Sequence, residues 1–328
     1  MAPSFLYRSF TTKQGQTMKW QPIIAGVDGS AESLRAASLA WRIARAADTR
    51  CVLVHAVPEL WVPGGLSPLV NSPEAFDMLV AEMRQHIAKE VGSEIPEAIR
   101  HSLVARPGRP GVVLDLVARE LEAGLVVVGG RHHGALARGL GGSTAHHLVR
   151  TSPAPVLVVE ASGRAPRRVL VATDLSAAAS ATLSTAARYA ELFDAQIRIV
   201  HVVEPAKFPT VVPLSLDMSA FEERSRAEFE RLVEVELSRV QSDDRVVRRG
   251  RADEEIAEEA VAWRADLVVL GSHGKGWIDR LLIGSTTERL LNRLPTSLLV
   301  VPINRPAQRR SEPARPRSRR ARRGRVII

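Results

Sequence analysis

The chain has a single cysteine, Cys51, so no disulfide can form within it, which fits a reducing compartment. No unbroken apolar stretch reaches the roughly 18–20 residues that a membrane span requires. The first 17 residues carry Arg8 and Lys13 but no apolar run leading to a small-residue cleavage site, so no secretory signal is read there. Also missing are the phosphate-loop motif G-x4-G-K-S/T, a G-x-G-x-x-G turn after the first strand, and the G-x-S-x-G nucleophile elbow. No paired acid and base stands beside a glycine-rich segment, and nothing identifiable orients a water. A catalytic role is therefore not expected.

What is present is a globular composition, 45% apolar and 25% charged over 328 residues, enough for two ordinary domains. The formal charge of +9 is unevenly placed: residues 303–328 hold ten arginines against one acid, Glu312. The rest of the chain balances at 35 basic and 35 acidic residues (45 less ten, 36 less one). The basic character belongs to an Arg/Pro/Ser-rich tail that cannot build a core and is expected to be disordered. It is either a solvated extension or a salt-sensitive contact for nucleic acid or another anionic surface.

An internal repeat accounts for the length. IIAGVDGSAES from Ile23 matches VLVATDLSAAA from Val169, and LVHAV from Leu53 matches IVHVV from Ile199 at the same offset. After a four-residue shortening, LVVVGG from Leu125 matches LVVLGS from Leu267, and GGST from Gly141 matches IGST from Ile283. Finally PVLVV from Pro155 matches SLLVV from Ser297. The change of offset falls where copy one has the Pro/Gly-rich VPGGLSP at residues 62–68, a natural surface insertion. The chain therefore divides into a flexible extension (1–17), two repeated domains (18–162 and 163–302) and the tail (303–328).

Each copy alternates β-branched runs with helical stretches. In copy one the runs are residues 23–27, 52–57, a weaker one at 99–105, 125–129 and 156–159. Helices are predicted within 73–91, 111–123 and 143–150, with counterparts at 218–240, 253–264 and 285–294. Leu34, Ala37, Trp41 and Ala44 recur at helical spacing after the first run, with Ser30 as N-cap and Ser176 in the same role in copy two. Apolar runs without polar alternation indicate strands covered on both faces. Each copy is thus α/β, a doubly wound five-stranded parallel sheet.

In such sheets ligands sit beyond the carboxyl ends of strands where the winding reverses. Two features meet there. One is the acid ending the first strand, Asp28 or Asp174, suited to ribose hydroxyls or a base edge. The other is a glycine-rich segment after the fourth strand. In copy two this reads Gly271, Gly274, Gly284 and Ser285, and the helix opening at Ser285–Thr286–Thr287 offers free N–H groups to phosphate. In copy one Gly129, Gly142, Ser143 and Thr144 keep their places, but His132 stands where copy two has Gly274. Binding there is expected to be weakened, unless a shifted loop uses Gly134. His55 and His201 lie within strand runs and read as core histidines. His132–His133 and His146–His147 lack the carboxylate or cysteine company of a metal site. Trp41 and Trp263 read as core, and Trp277 as a partly exposed contact residue.

The G-x2-G-x9-G-S/T spacing at Gly271, Gly274, Gly284 and Ser285, with ATDLS after the first strand and VHVV in the second, resembles ATP-binding members of the universal stress protein family. The resemblance covers nearly all of residues 20–302 as a tandem pair. It implies an adenine nucleotide alpha hydrolase-like fold and a stress-response or regulatory role in the cytoplasm. The ligand implied is ATP, or ADP or AMP, with Mg2+ accompanying the nucleotide. Thr173, Asp174 and Val202 would frame the adenosine, and Leu270, Gly271, Gly274, Gly284, Ser285 and Thr286 the ribose and phosphates. The candidate positions in copy one are Gly26, Asp28, Ala56, Val128, Gly129, Gly142, Ser143 and Thr144. Copy two is expected to be the better site. The family's pairing through last strands implies an intrachain pseudo-dimer of residues 156–159 with 298–301, with homodimerisation open as well. The alternatives are a nucleotide-independent interaction or chaperone-like module, and nucleic-acid association through the tail.

Overall fold

The computed structural model describes residues 21–57, 73–91, 95–101, 103–130, 144–160, 163–176, 178–204, 218–238, 240–272 and 283–302. The expected extension and tail, and the positions His132, His133, Gly134, Gly142, Ser143, Gly274 and Trp277, lie outside these residues.

Copy one runs β1 (Ile23–Gly26), α1 (Ala31–Ala46), β2 (Cys51–Val57), α2 (Pro73–Val91), α3 (Glu97–His101), β3 (Val104–Pro107), α4 (Pro110–Glu120), β4 (Leu125–Gly129), α5 (Thr144–Thr151) and β5 (Val156–Val159). Copy two runs β6 (Arg168–Thr173), α6 (Ala179–Phe193), β7 (Gln196–Val203), α7 (Met218–Leu237), β8 (Arg245–Arg249), α8 (Ala252–Ala262), β9 (Leu267–Gly271), α9 (Ser285–Arg293) and β10 (Ser297–Val301). A short 3-10 turn, Ser242–Asp244, precedes β8.

The two five-stranded sheets are joined into one of ten strands, in the order β3-β2-β1-β4-β5-β10-β9-β6-β7-β8. Within each copy neighbours are parallel, and β1 lies between β2 and β4 as β6 lies between β7 and β9. The seam is the antiparallel pair β5–β10, with Leu157 opposite Leu299, as the family resemblance implies for the last strands. Parallel strands covered on both faces must be apolar throughout, and β4, β5 and β10 show it. Leu125, Val126 and Val127 have no exposure, and neither have Leu298 and Leu299.

Alternate strand positions feed two cores, one on each face, and both run unbroken across the seam. One joins Ile23, Leu39 and Leu157 to Val169, Tyr189 and Leu299. The other joins Ile24, Val126 and Val158 to Leu170, Val268 and Leu298. Each such aliphatic side chain, fully buried, contributes about 1.5–3 kcal/mol.

Two local expectations are corrected. Residues 97–101, placed partly in a weak strand, form α3, and the edge strand β3 begins only at Val104. Ser176 does not cap α6. That helix starts later, behind Ala178, and the Ser176 hydroxyl instead accepts from the Ala178 N–H (3.3 Å) in the turn before it. Ser30 does cap α1, accepting from the Ser33 N–H.

Candidate functional site

At the carboxyl ends of β1 and β4, where the winding reverses, copy one opens a cleft of ≈ 530 Å³ that is continuous with solvent. Val54, Ala56, Leu114 and Val128 form its apolar walls, and Gly26 and Gly129 expose backbone to it. Asp28, Ser30, Glu32, Ser33 and Thr144 supply its polar groups. Of the expected copy-one positions, Gly26, Asp28, Ala56, Val128, Gly129 and Thr144 are thus brought together. Glu32, Ser33 and Leu114 are additions that the sequence pattern does not single out.

The loop carrying Asp28 is built from its own side chains. Asp28 Oδ1 accepts from the Ser30 N–H (3.0 Å) and the Ser30 hydroxyl (2.6 Å). The Asp28 N–H donates to Ser33 Oγ at 3.2 Å, and that hydroxyl donates to the Ser30 carbonyl at 2.9 Å. Gly29 takes φ +83°, a left-handed turn that suits glycine. Two histidines fix the loop from outside. His55 Nδ1 donates to the Val27 carbonyl (2.8 Å), and His86 Nε2 on α2 donates to the Gly29 carbonyl (2.8 Å).

The glycines of the cleft serve packing as well as access. A Cβ on Gly129 would stand 2.9 Å from the Glu32 backbone carbonyl carbon, so its bareness lets the first turn of α1 lie against the end of β4. A Cβ on Gly26 would meet Leu114 at 2.9 Å, a flexible neighbour. Copy two carries that Cβ, having Ala172 at the same place in the repeat.

In copy two the expected residues lie at the same end of adjacent strands. Thr173 ends β6 with Asp174 just after it, Val202 is on β7, and Leu270 and Gly271 close β9. Gly284 is the N-cap of α9 and donates its N–H to the Ser272 carbonyl (3.0 Å), and Ser285 and Thr286 open that helix. The Thr287 hydroxyl is engaged with the Gly271 carbonyl at 2.9 Å, so it ties helix to strand rather than presenting a donor to a ligand. Asp174 accepts from the Ser176 N–H (3.0 Å), and Leu175 takes the left-handed turn that Gly29 takes in copy one, at φ +60°. Leu175 packs onto the core, where copy one instead holds Gly29 through His86.

The remaining candidates resolve into structural roles. His201 donates from Nδ1 to the Thr173 carbonyl (2.9 Å) and stacks on Phe229 with ring centres 5.9 Å apart. It fixes the end of β6 as His55 fixes that of β1. His147 packs against Gly111, where an added Cβ would come within 2.7 Å of its ring. Trp41 packs on one core, and Trp263 on the other beneath the Arg198 guanidinium, 4.9 Å from the ring centre. Among the described residues no group of three His, Cys, Asp or Glu is placed to hold a metal ion. No described helix is long and apolar enough to cross a membrane.

Comparison with known proteins agrees with this architecture. The profile of the Universal stress protein family matches residues 19–160 and again 166–302. A universal stress protein of Mycobacterium tuberculosis is 27% identical over 305 residues, covering 86% of this chain and 97% of its own. One from Mycolicibacterium smegmatis is 28% identical over 298 residues, covering 85% and 96%. Among solved structures, a universal stress protein of Archaeoglobus fulgidus superposes with a TM-score of 0.56 at 18% identity, covering 86% of this chain and 96% of that one. A Pseudomonas aeruginosa structure gives 0.58 at 18% identity, covering 86% and 93%. With its profile matched twice over most of the length, the chain belongs to the universal stress protein family, as a tandem of two domains.

Proposed function

We propose that this chain binds an adenine nucleotide at the carboxyl ends of its central strands and acts as a regulatory binding module in a stress response. The observation that carries the reading is the copy-one cleft. It lies where open parallel sheets hold their ligands, beyond the carboxyl ends of β1 and β4. Apolar walls at Val54, Ala56, Leu114 and Val128 suit a purine face, and Asp28 at the rim suits ribose hydroxyls. In copy two Asp174, Val202, Leu270 and the start of α9 supply the same types of group, and the N–H groups of that first turn favour phosphate. Mg2+ would travel with a polyphosphate ligand.

The deciding experiment is mass spectrometry of small molecules released from the denatured purified protein, followed by equilibrium dialysis with radiolabelled adenine nucleotides. An adenine nucleotide at up to two per chain is expected. Asp28→Asn and Asp174→Asn should each remove part of the binding, and protein that binds none would reject the reading. An electrostatic role for the arginines of residues 303–328 is a separate proposal. Removing them should abolish low-salt retention on RNA or DNA and leave nucleotide binding unchanged.

A further inference from the structure

We infer that the seam is coded for unlike halves: the last-strand edge of copy one accepts that of copy two in preference to a second copy of itself, and the edge of copy two does likewise. The backbone does not make this choice. The repeat relation that carries Leu157 to Leu299 exchanges the pair Val158–Leu298 with the pair Val156–Val300, so the ladder is two-fold symmetric. Two like halves could form the same ladder, and side chains must tell the pairings apart.

Two independent contacts do so. Glu160, just beyond β5, donates its N–H across the seam to the hydroxyl of Ser297, the buried first residue of β10, at 3.1 Å. At the mirrored positions the repeat has Pro302 and Pro155, the one without an N–H and the other without a hydroxyl. Two copy-one edges would set the Glu160 N–H against Pro155 on both sides. Two copy-two edges would turn the Ser297 hydroxyl toward Pro302.

The second contact is steric. Leu294, buried at the end of α9, fills the space beside Gly130, where an added Cβ would overlap its Cδ2. The mirrored residues are Ser272 and Ser152. The Gly130 N–H donates to the Val159 carbonyl at 2.9 Å, and Ser272 repeats that bond to Val301 at 2.9 Å while carrying a Cβ. Strand geometry therefore does not demand glycine at residue 130, and the Leu294 side chain does. Two copy-two edges would drive Leu294 against Ser272 twice, and two copy-one edges would leave a void beside Gly130 twice. A copy-one edge without its partner still self-associates through its apolar strand, less tightly than with copy two. A second chain meets this surface by exchanging halves, its copy two on this copy one.

The test keeps both halves present. A protease site at residues 161–162 allows the folded full chain to be cut between the copies. After unfolding in urea and refolding, native mass spectrometry should find unlike pairs about tenfold or more over like pairs, as one buried N–H without an acceptor suffices for that ratio. Pro155→Ser, which gives the copy-one edge the missing hydroxyl, should raise the yield of copy-one pairs, and Leu294→Ser that of copy-two pairs. A second measurement uses the uncut chain. Gly130→Ser should lower the urea midpoint of the native sequence and change it little in a Leu294→Ser background. Pairing in the proportions of random mixing, like-pair yields that neither variant moves, or a Gly130→Ser cost that persists without Leu294 would overturn the inference.

Discussion

Two single residues show how placement decides chemistry. Cys51 begins β2 beneath α1, and burial pushes its thiol from an ordinary 9.0 up to about 12. The thiolate is the reactive form, so native protein should resist Ellman's reagent and react only on unfolding. Because folding favours the neutral thiol, its contribution to stability is intact below pH 9 and is lost as pH rises toward about 12. Urea midpoints measured across that window should fall more steeply for the native sequence than for Cys51→Ala. Ser30 is the second case. Its hydroxyl caps α1 and also holds Asp28, so Ser30→Ala should cost about 1 kcal/mol in urea unfolding. Ser176→Ala should cost less, because Ser176 lies ahead of its helix and caps nothing.

At the level of elements, the cleft depends on how closely α1 approaches β4. Gly129→Ala sets a methyl against the Glu32 backbone, which cannot swing aside as a side chain would. A loss of about 1–3 kcal/mol is expected, and, if the proposed reading holds, copy one should also lose its nucleotide binding in calorimetry. Most elements were legible beforehand because strands buried on both faces are written as unbroken apolar runs, as in LVVVG of β4 and VLVV of β5. The edge strand β3 was not, since its half-exposed VARP carries no such run and Ile99 beside it belongs to a helix. Asp28 was legible from its place at the end of a strand. Glu32 was not, because an acid in a first helical turn reads as a partner for the helix dipole. Its place in the cleft depends on a contact with Gly129 across nearly a hundred residues of chain.

The molecule as a whole is governed by the β5–β10 seam. Leu299 is fully buried opposite Leu157, and Leu299→Ala should lower stability by about 2–5 kcal/mol. Since both cores cross the seam, circular dichroism and tryptophan fluorescence should report one shared unfolding transition for the native sequence. Expressed alone, residues 21–160 would leave VLVV as a bare apolar edge and should self-associate, giving a dimer in sedimentation that Val158→Lys disperses. Joining the halves covalently has a longer consequence. In a homodimer every mutation is inherited twice, so both cavities must change in step. Here a single peptide carries both, and one half is free to drift while its twin stays as it was.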